Sequence, residues 1–477
     1  MRKTIMIEKH ILRLLLVLTS LFTVSAKAEV KLPAGAAERP NIFLFVTDDE
    51  SWLERSAYGW SNLPTPHFDR VAREGVLFTN GFTSAPSCAP SRAAILTGRN
   101  FWELKQGAFI QAWLPKEFPV LPQLLEDHGY LVGRTGKGWG PGVYPQQGHG
   151  PEVAGRVFNE RKVADRVRDI SPIDYAGNLE AFLKEKSPGQ PFFFWAGPTE
   201  PHGPWDKNNH VRLKKEYGVG LDDIKVPPFV EDTSAYRRAR ANFLYEICYA
   251  DRQLGRMLDY LESAGELDDT LLIVTSDNGT AIAKGKATPY DWATHEPLAV
   301  MWPARVPKGR TVSDFVTFAD FAPTMLEAAG IRAPASMSGR SFLDVLLSKK
   351  SGRIDSARNF VVTGLEWHGE FDPERRTART IRTDRYSCIM RYDNDEDGMQ
   401  GRPVEPSAVE LYDIKNDPWH ETDLSARAEY RDIRERLSRQ LIDFGRRTGD
   451  PRMTGDMKIF RETRLFVQER KRGGYKK

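Results

Sequence analysis

The segment from Cys88 to Gly98, C-A-P-S-R-A-A-I-L-T-G, carries a candidate nucleophile at a predicted helix start. Pro90 suits the first turn of a helix, and the residues after it favour continuation of that helix. A cysteine in this place lies at the positive end of the helix dipole, which stabilises a bound anion and lowers the pKa of a thiol. From this pattern Cys88 is interpreted either as a thiolate nucleophile or as an inert cysteine at a helix start.

Acidic residues follow two apolar runs at the point where each run ends. Asp48 and Asp49 end the run that starts at Asn41, and Asp277 and Asn278 end the run that starts at Thr270. Because the carboxyl ends of parallel strands meet at one edge of a sheet, we expect these side chains to lie close together. Three carboxylates and an amide carbonyl are hard oxygen donors, which suit calcium. D-N-G alone is equally typical of a turn, so this prediction depends on the joint occurrence of both pairs.

The segment that begins at Cys88 resembles the signature of the type I sulfatases, C-x-P-S-R followed by x-x-x-L-T-G, at every fixed position. In that family a maturation enzyme oxidises the cysteine to formylglycine, whose hydrate carries two hydroxyls. One attacks sulfur and the other helps to expel sulfate. The resemblance therefore implies that Cys88 is the precursor of the nucleophile, that Arg92 orients the hydrate, and that a formylglycine-generating enzyme is a partner. It also implies a calcium site beside residue 88, formed by residue 88 with Asp48, Asp49, Asp277 and Asn278.

Three further basic residues match sulfatase positions. Lys137 in G-K-G-W-G and Lys286 in G-K-A-T-P-Y are implied to contact sulfate, although Lys286 alone is typical of a solvated loop. His202 in E-P-H-G-P is implied to protonate the leaving oxygen, a role that suits the near-neutral pKa of imidazole. Trp139 departs from the family, which usually has a histidine there that assists collapse of the sulfated hydrate. Either another base replaces it, with His149 as a candidate or an ordinary surface histidine, or the site works differently.

The resemblance extends from about Pro40 to Leu424 and includes E-L-Y-D-I-K-N-D-P-W-H-E near its end. T-P-H-F-D, the spacing of D-N-G to G-K, E-P-L and W-H-G-E all resemble the sulfamidase-like branch of the family. Two residues of the last segment, His368 and Glu370, are expected on a loop that shapes the substrate pocket. Arg379 or Arg382 is expected to join them. Ordinary surface positions are the alternative for each.

The elements that must position these residues are predicted from apolar patterns. The runs from Asn41, Phe192 and Thr270 are typical of buried parallel strands, and Arg238 to Ser263 has apolar residues at helical spacing. After about Asn359 the pattern changes to short β-like runs with turns. We therefore predict an α/β domain over 29–358, with a large, mostly parallel sheet flanked by helices, and a smaller antiparallel α+β subdomain over 359–477. The resemblance implies the alkaline phosphatase-like fold.

Residues 1–28 are predicted to be a signal peptide, because basic residues precede an apolar run from Leu14 to Val24 and small residues follow it. The run is shorter than the roughly 20 apolar residues that a membrane span requires. The chain of 477 residues has 68 Lys and Arg and 65 Asp and Glu, and residues 1–28 hold five of the former and one of the latter. The remaining chain then has a formal charge of −1. We expect export to the periplasm or secretion, no membrane span and no nucleic-acid partner.

The cysteine count agrees with a modified residue at position 88. Three cysteines in an oxidising compartment leave at least one unpaired, and formylglycine at position 88 would account for it. Cys248 and Cys388 are then expected to be ordinary residues, Cys248 inside the long helix.

The sequence thus predicts an exported hydrolase of sulfate esters, or of sulfamates, that acts on a sulfated carbohydrate. A phosphodiesterase or phosphonate monoester hydrolase remains an alternative, although such enzymes are expected to have further metal-binding histidines and the chain has nine histidines without a dense cluster. A catalytically silent binder of sulfated glycans is a second alternative, favoured only by Trp139. The tryptophans in Phe101 to Glu103 and Gln111 to Trp113 either stack on sugar rings or pack in the core.

Overall fold

The computed structural model describes residues 39–368, 377–392 and 402–472, with side chains described as far as residue 470. Its strands are β1 Asn41–Thr47, β2 Val76–Phe78, β3 Gly81–Phe82, β4 Leu131–Gly136, β5 Arg156–Val157, β6 Phe192–Gly197, β7 Thr270–Ser276, β8 Leu298–Met301, β9 Arg310–Val312, β10 Val316–Thr317, β11 Phe360–Leu365, β12 Ala378–Thr383, β13 Tyr386–Arg391 and β14 Ala408–Asp413. Its α-helices are α1 Pro66–Glu74, α2 Cys88–Thr97, α3 Leu121–Glu126, α4 Tyr175–Leu183, α5 Asn209–Tyr217, α6 Ser234–Ser263, α7 Asp291–Thr294, α8 Phe321–Ala328, α9 Leu343–Leu347, α10 Arg431–Arg447, α11 Pro451–Thr454 and α12 Lys458–Arg472. Short 3₁₀ turns span Trp52–Glu54, Ser56–Tyr58, Phe101–Glu103, Lys105–Ala108, Leu221–Asp223, Phe318–Asp320 and Ala428–Tyr430.

The larger sheet has eight strands in the order β5-β4-β6-β1-β7-β8-β2-β9. Every neighbouring pair is parallel except the two that involve β8, which runs antiparallel to β7 and β2. The three strands predicted from apolar runs therefore lie side by side as β6, β1 and β7. Their carboxyl ends bring Gly197, Thr47 and Ser276 to one edge of the sheet, which is where ligands bind in open parallel sheets.

Both faces of this sheet are buried, which explains the uninterrupted apolar runs. Side chains alternate along a strand, so Ile42, Leu44 and Val46 of β1 pack on one face while Phe43 and Phe45 pack on the other. The first face is covered by helices that include α2 and α8, and the second by helices that include α4 and α6. The predicted helix over 238–263 is confirmed and begins four residues earlier, at Ser234.

The second large sheet is the antiparallel order β11-β12-β13-β14. Its apolar side chains pack with α10 and α12 and also with Phe101 and Trp102, which follow the end of α2. The predicted fold class, a mostly parallel α/β sheet with a smaller antiparallel C-terminal part, is therefore confirmed. The subdomain boundary at 358/359 stays a prediction, and the predicted signal peptide lies outside the described residues.

Candidate functional site

Cys88 is the first residue of α2, and Ser87 is its N-cap, so the helix begins two residues before Pro90. The residue is 1% exposed. Burial raises the pKa of the Cys88 thiol to about 12, although the charges of Lys137 and Lys286 act in the opposite direction. Burial therefore disfavours the interpretation of Cys88 as a thiolate, because it has a larger effect on the pKa of this thiol than the positive charge around it. A thiol whose pKa is raised is a weaker nucleophile at neutral pH, because the thiolate is the reactive form.

The two acidic pairs meet beside this thiol. Asp48 and Asp49 directly follow β1, Asp277 directly follows β7, and the two strands are parallel neighbours. One carboxylate oxygen from each of these residues and the Cys88 sulfur all lie within 4.8 Å of one another. Asp49 has a left-handed backbone with φ of 73°. This conformation interrupts the alternation of the strand, so that two successive carboxylates face the same point.

Asn278 completes the oxygen set. Its side chain is wholly buried, and Nδ2 donates to Asp49 Oδ1 at 2.8 Å, whereas Oδ1 has no hydrogen-bond partner within the described part of the chain. Leaving a buried acceptor without a partner costs about 1–3 kcal/mol, which a bound cation would offset. Calcium takes oxygen ligands at about 2.3–2.6 Å, so two ligands on opposite sides of one ion are about 5 Å apart. The spacing of the acidic cluster therefore fits a calcium ion.

Three cations neutralise the three carboxylates of this cluster. The ion pairs are Lys137 Nζ with Asp48 Oδ2 at 2.6 Å, Lys286 Nζ with Asp49 Oδ1 at 2.6 Å and Arg92 Nε with Asp277 Oδ2 at 2.7 Å. Burial alone would raise the pKa of Asp48, but Lys137 together with the other nearby cations outweighs it and holds this pKa at about 2. Because the six charges cancel, the cluster can accept a divalent cation and an anionic group together.

Lys286 also reaches the nucleophile position directly. Its ammonium group donates to the sulfur of Cys88 at 3.0 Å. The contact places a positive charge beside any oxyanion bound at the start of α2.

Arg92 and two glycines hold Lys137 in place. The guanidinium of Arg92 donates to the carbonyl oxygens of Lys137 at 2.9 Å and Gly138 at 3.0 Å. The N–H of Lys137 donates to the carbonyl oxygen of Gly197 at 2.7 Å. A Cβ at Gly197 would lie 1.9 Å from the Lys137 carbonyl oxygen, and Gly136 has φ of +70°. Only glycine allows this close approach between the ends of β4 and β6.

His202 lies on the other side of the acidic cluster. Its Nε2 is 3.8 Å from Asp49 Oδ2, its Nδ1 contacts the carbonyl oxygen of Gly203 at 2.7 Å, and the side chain is 46% exposed. His202 lines a cavity together with Asp48 and Lys137. The imidazole is therefore open to a substrate that occupies this cavity.

Glu200 also supports this loop, which the sequence analysis missed. Its carbonyl oxygen accepts the N–H of Asp48 at 3.2 Å, and its buried carboxylate accepts the hydroxyl of Tyr175 at 2.9 Å. The available signal was an acidic residue directly before the Pro-His pair.

Trp139 lines the cavity, and its indole N–H donates to the carbonyl oxygen of Ala89 at 3.1 Å. The structure does not bring His149 to this cavity. His149 lines a separate cleft, where its Nε2 donates to the carbonyl oxygen of Phe118 at 2.9 Å. His149 is therefore poorly placed to replace the histidine expected at position 139.

His368 lies beside the start of α2. Its Nδ1 is 2.8 Å from the hydroxyl oxygen of Ser87, the residue before Cys88. Glu370, expected on the same loop, lies outside the described residues.

The two arginines expected at the pocket lie in buried ion pairs instead. Arg379 contacts Glu366 and Asp450, and Arg382 contacts Asp291. The corresponding carboxylates are distant in sequence, so the sequence pattern gave no sign of these pairs.

The tryptophans of the two aromatic loops differ in burial. Trp102 is 1% exposed, and Trp113 packs edge-on against Phe466 with ring centroids 5.2 Å apart. The core-packing alternative holds for Trp102, because a ring that is almost wholly buried cannot stack on a sugar.

Comparison with known proteins gives two family matches. A sequence model described as Sulfatase matches residues 40–331. A second, described as N-sulphoglucosamine sulphohydrolase, C-terminal, matches residues 285–447. The two matches together reach from before β1 to the end of α10.

Several curated proteins are similar to this chain. An ulvan-active sulfatase from Formosa agariphila is 27% identical over 437 residues, which cover 87% of this chain and 82% of that protein. The N-sulphoglucosamine sulphohydrolase of Homo sapiens is 31% identical over 342 residues, which cover 65% of this chain and 66% of that protein. A solved structure in complex with its substrate D-glucosamine-2-N,6-O-disulfate has a TM-score of 0.69 and 22% identity, and covers 86% of this chain and 98% of that one.

Proposed function

Because this chain belongs to the sulfatase family of sulfuric-ester hydrolases, we propose that it removes sulfate from a sulfated glycan by means of a formylglycine formed from Cys88 and a bound calcium ion. One observation carries the proposal. A single buried cluster brings the cysteine of the signature, three carboxylates and three cations to the carboxyl edge of the sheet. We propose that export precedes this activity. Every helix among the described residues is too short or too polar to span a bilayer.

Cys88 and three side chains around it would carry the reaction. The sulfur of Cys88 marks the position of the formylglycine hydroxyls, which would supply the nucleophile. Lys137 and Lys286 would bind sulfate oxygens, since their ammonium groups already lie 2.6 Å from carboxylates of the same cluster. His202 would donate a proton to the leaving oxygen, because its imidazole is half exposed in the cavity beside Asp49.

Arg92 would act as a positioning residue through Asp277 and the backbone of Lys137. The cation would be held by the oxygens of Asp48, Asp49, Asp277 and Asn278 beside residue 88. When bound, it would lower the negative charge on a sulfate oxygen.

A glycan substrate is supported by the relatives. Two of them are named for ulvan and for N-sulphoglucosamine, and a structural neighbour was solved with a disulfated glucosamine. Sulfamate hydrolysis is a second candidate activity, favoured by the match of residues 285–447 to the N-sulphoglucosamine sulphohydrolase C-terminal model. Sulfate release from O-sulfated and from N-sulfated glucosamine, measured side by side, separates the two activities.

The two alternatives of the sequence analysis receive less support. Within the described part of the chain, one cluster of side chains has the spacing of metal ligands, and its members Asp48, Asp49, Cys88 and Asp277 include no histidine. That is fewer ligands than a phosphodiesterase centre with added histidines would need. A silent binder does not require the cations that surround Cys88, which argues for turnover.

The test replaces the nucleophile precursor. Cys88→Ala and Cys88→Ser, prepared in a host that makes formylglycine, should both keep the fold and lose sulfate release. The alanine variant has no nucleophile, and the single hydroxyl of the serine variant cannot expel the bound sulfate. Cys248→Ala is the matched control, since Cys248 is equally buried in α6, and it should retain turnover. Mass spectrometry of the peptide with residue 88 checks the oxidation. Unmodified cysteine in an active preparation, or turnover by Cys88→Ala, would contradict the proposed function.

A further inference from the structure

The cavity beside the catalytic cluster extends well beyond the place for a sulfate group. Its volume is about 770 Å³, within the range of about 300–1,000 Å³ that small-molecule sites occupy. Lys137 and His202 line it, and so do Tyr144 and Arg166. The rest of the substrate must therefore meet side chains to which no role has yet been assigned.

Two aromatic rings form part of this lining. Tyr144 is 46% exposed, and its ring meets Trp139 edge-on with centroids 5.9 Å apart. Trp139 is held firmly, because its indole donates to Ala89 and the turn at Gly142 packs against the ring so closely that a Cβ there would lie 2.2 Å from it. An exposed tyrosine ring braced in this way offers a rigid apolar face with a polar hydroxyl, which suits the apolar face of a sugar ring.

Arg166 supplies a positive charge to the same cavity. It is exposed, and it makes no ion pair or hydrogen bond with any other residue in the described part of the chain. Asp169 lines the cavity too, but its carboxylate is 3.7 Å from the guanidinium of Arg168, which does not line it. A planar guanidinium matches a carboxylate or a sulfate group by two parallel hydrogen bonds.

We propose that Tyr144 and Arg166 form a subsite for a sugar that carries a second oxyanion, either a carboxylate or another sulfate ester. The inference rests on the proposed function and deepens it, since it names the substrate class as glycans with at least two anionic groups. Arg166 binds the second oxyanion, and Tyr144 supports the ring next to it. The reacting sulfate lies at the other part of the cavity, beside Lys137 and His202.

The experiment compares substrates with one and with two anionic groups. The single-anion probes are 4-nitrophenyl sulfate and D-glucosamine 6-O-sulfate. The double-anion probes are D-glucosamine-2-N,6-O-disulfate, which adds a sulfate, and a monosulfated disaccharide with a uronate, which adds a carboxylate. Sulfate release is measured for the wild type, Arg166→Ala, Arg166→Lys and Tyr144→Ala. Lys207→Ala is the control, because Lys207 is an exposed cation of a neighbouring loop that does not line the cavity.

We expect Arg166→Ala to lose about 10- to 100-fold more kcat/KM on a double-anion substrate than on 4-nitrophenyl sulfate, chiefly through KM. Arg166→Lys should recover part of the loss, and Lys207→Ala should show none. The double-anion substrate that is more affected identifies the oxyanion. An equal loss on all substrates, or a wild type that prefers single-anion substrates, would overturn the subsite.

Failure of the proposed function has a different signature. A wild type that releases sulfate from no probe contradicts the hydrolase proposal. In that case the affinity of the double-anion probes tests the subsite independently of turnover. Calorimetry with Cys88→Ala and the double-anion probes should show affinity that falls at least tenfold when Arg166→Ala is added. No binding, or binding that Arg166 does not affect, would overturn the subsite.

Discussion

Replacement of Glu366 by glutamine should weaken both the fold and the site. Glu366 directly follows β11 and precedes Trp367 and His368, and His368 contacts Ser87 at the start of α2. Its carboxylate contacts Arg379 at 2.8 Å and Arg452 at 2.6 Å, and all three side chains are at most 3% exposed. Glu366→Gln keeps the shape of the side chain but leaves two buried guanidinium groups with one carboxylate fewer.

The expected magnitude follows from the burial of this network. Removal of one partner from a buried ion pair costs about 3–5 kcal/mol, and the lower end applies here because the glutamine carbonyl still accepts hydrogen bonds. With an unfolding entropy of about 2.1 cal/mol/K per residue over roughly 440 residues, about 3 kcal/mol lowers Tm by about 3 °C. Turnover should fall as well, since Arg379 also lies over the ring of Phe101, with its guanidinium carbon 4.9 Å from the ring centroid, next to the end of α2.

The same network predicts a pH dependence. Burial alone would raise the pKa of Glu366, but Arg452 and Arg379 outweigh it and hold this pKa below its ordinary value of 4.5. A group whose pKa is lowered by folding stabilises the protein fully above its unfolded pKa and loses that contribution as the pH falls through the folded value. The Tm difference between wild type and Glu366→Gln should therefore be constant from about pH 6 to 8 and narrow below about pH 4.5.

Calorimetry across this pH range, with sulfate release measured on the same samples, tests the prediction. Glu410→Gln is the matched control, because Glu410 pairs with Arg391 at 2.6 Å in the same sheet but each side chain is 18% exposed. Its loss of stability should be smaller than that of Glu366→Gln, because water reaches and screens a partly exposed ion pair. Equal Tm shifts for the two variants, or a Glu366→Gln difference that persists in acid, would refute the argument that burial of the charges sets the magnitude.

Three other changes test the site. Chelation of calcium should abolish turnover and lower Tm. Calcium restored to a hundred times its Kd should stabilise the fold by about 2.7 kcal/mol. A chelated enzyme that keeps its activity and its Tm would exclude the cation site. His202→Gln should lower turnover of glycan sulfates by about 10²- to 10⁴-fold. Its effect on 4-nitrophenyl sulfate should be smaller, because nitrophenolate leaves without much protonation. Equal losses on both substrates would exclude His202 as the proton donor. Trp139→Phe removes the hydrogen-bond donor to the Ala89 carbonyl. The loss should cost about 1 kcal/mol of stability and raise KM for glycans. An unchanged Tm and an unchanged KM would show that the indole neither holds α2 nor shapes the cavity.

Much of the fold was predictable because burial on both faces of a parallel sheet leaves a clear pattern. The apolar runs that start at Asn41, Phe192 and Thr270 became the three central strands, and the sulfatase resemblance, including its sulfamidase-like branch, is confirmed by the family matches. The start of α6 was missed because its first turn is exposed or half-buried and so does not continue the apolar stripe. It is set instead by Thr233, whose hydroxyl accepts the N–H of Tyr236 at 3.1 Å.

The residues of the candidate site were named in advance, whereas their environment was not. The sequence placed Asp48 and Asp277 near one another because strand ends of one sheet share an edge, and the sulfatase resemblance placed Cys88 beside them. The sequence also favoured a lowered pKa at Cys88, since the helix dipole is a local property of the chain. Burial reverses that expectation, and the extent of burial depends on every segment packed around the thiol.

The sequence by itself determined which residue types stand at the ends of the strands and at the start of α2, and hence the class of chemistry. Only the tertiary structure decided that every acid of the cluster has a cation within ion-pair distance, that Arg379 belongs to a buried network, and that Tyr144 and Arg166 line the cavity with His202. These relations join segments that are far apart along the chain. Their strength depends on distance and solvent exclusion, which local sequence patterns do not encode.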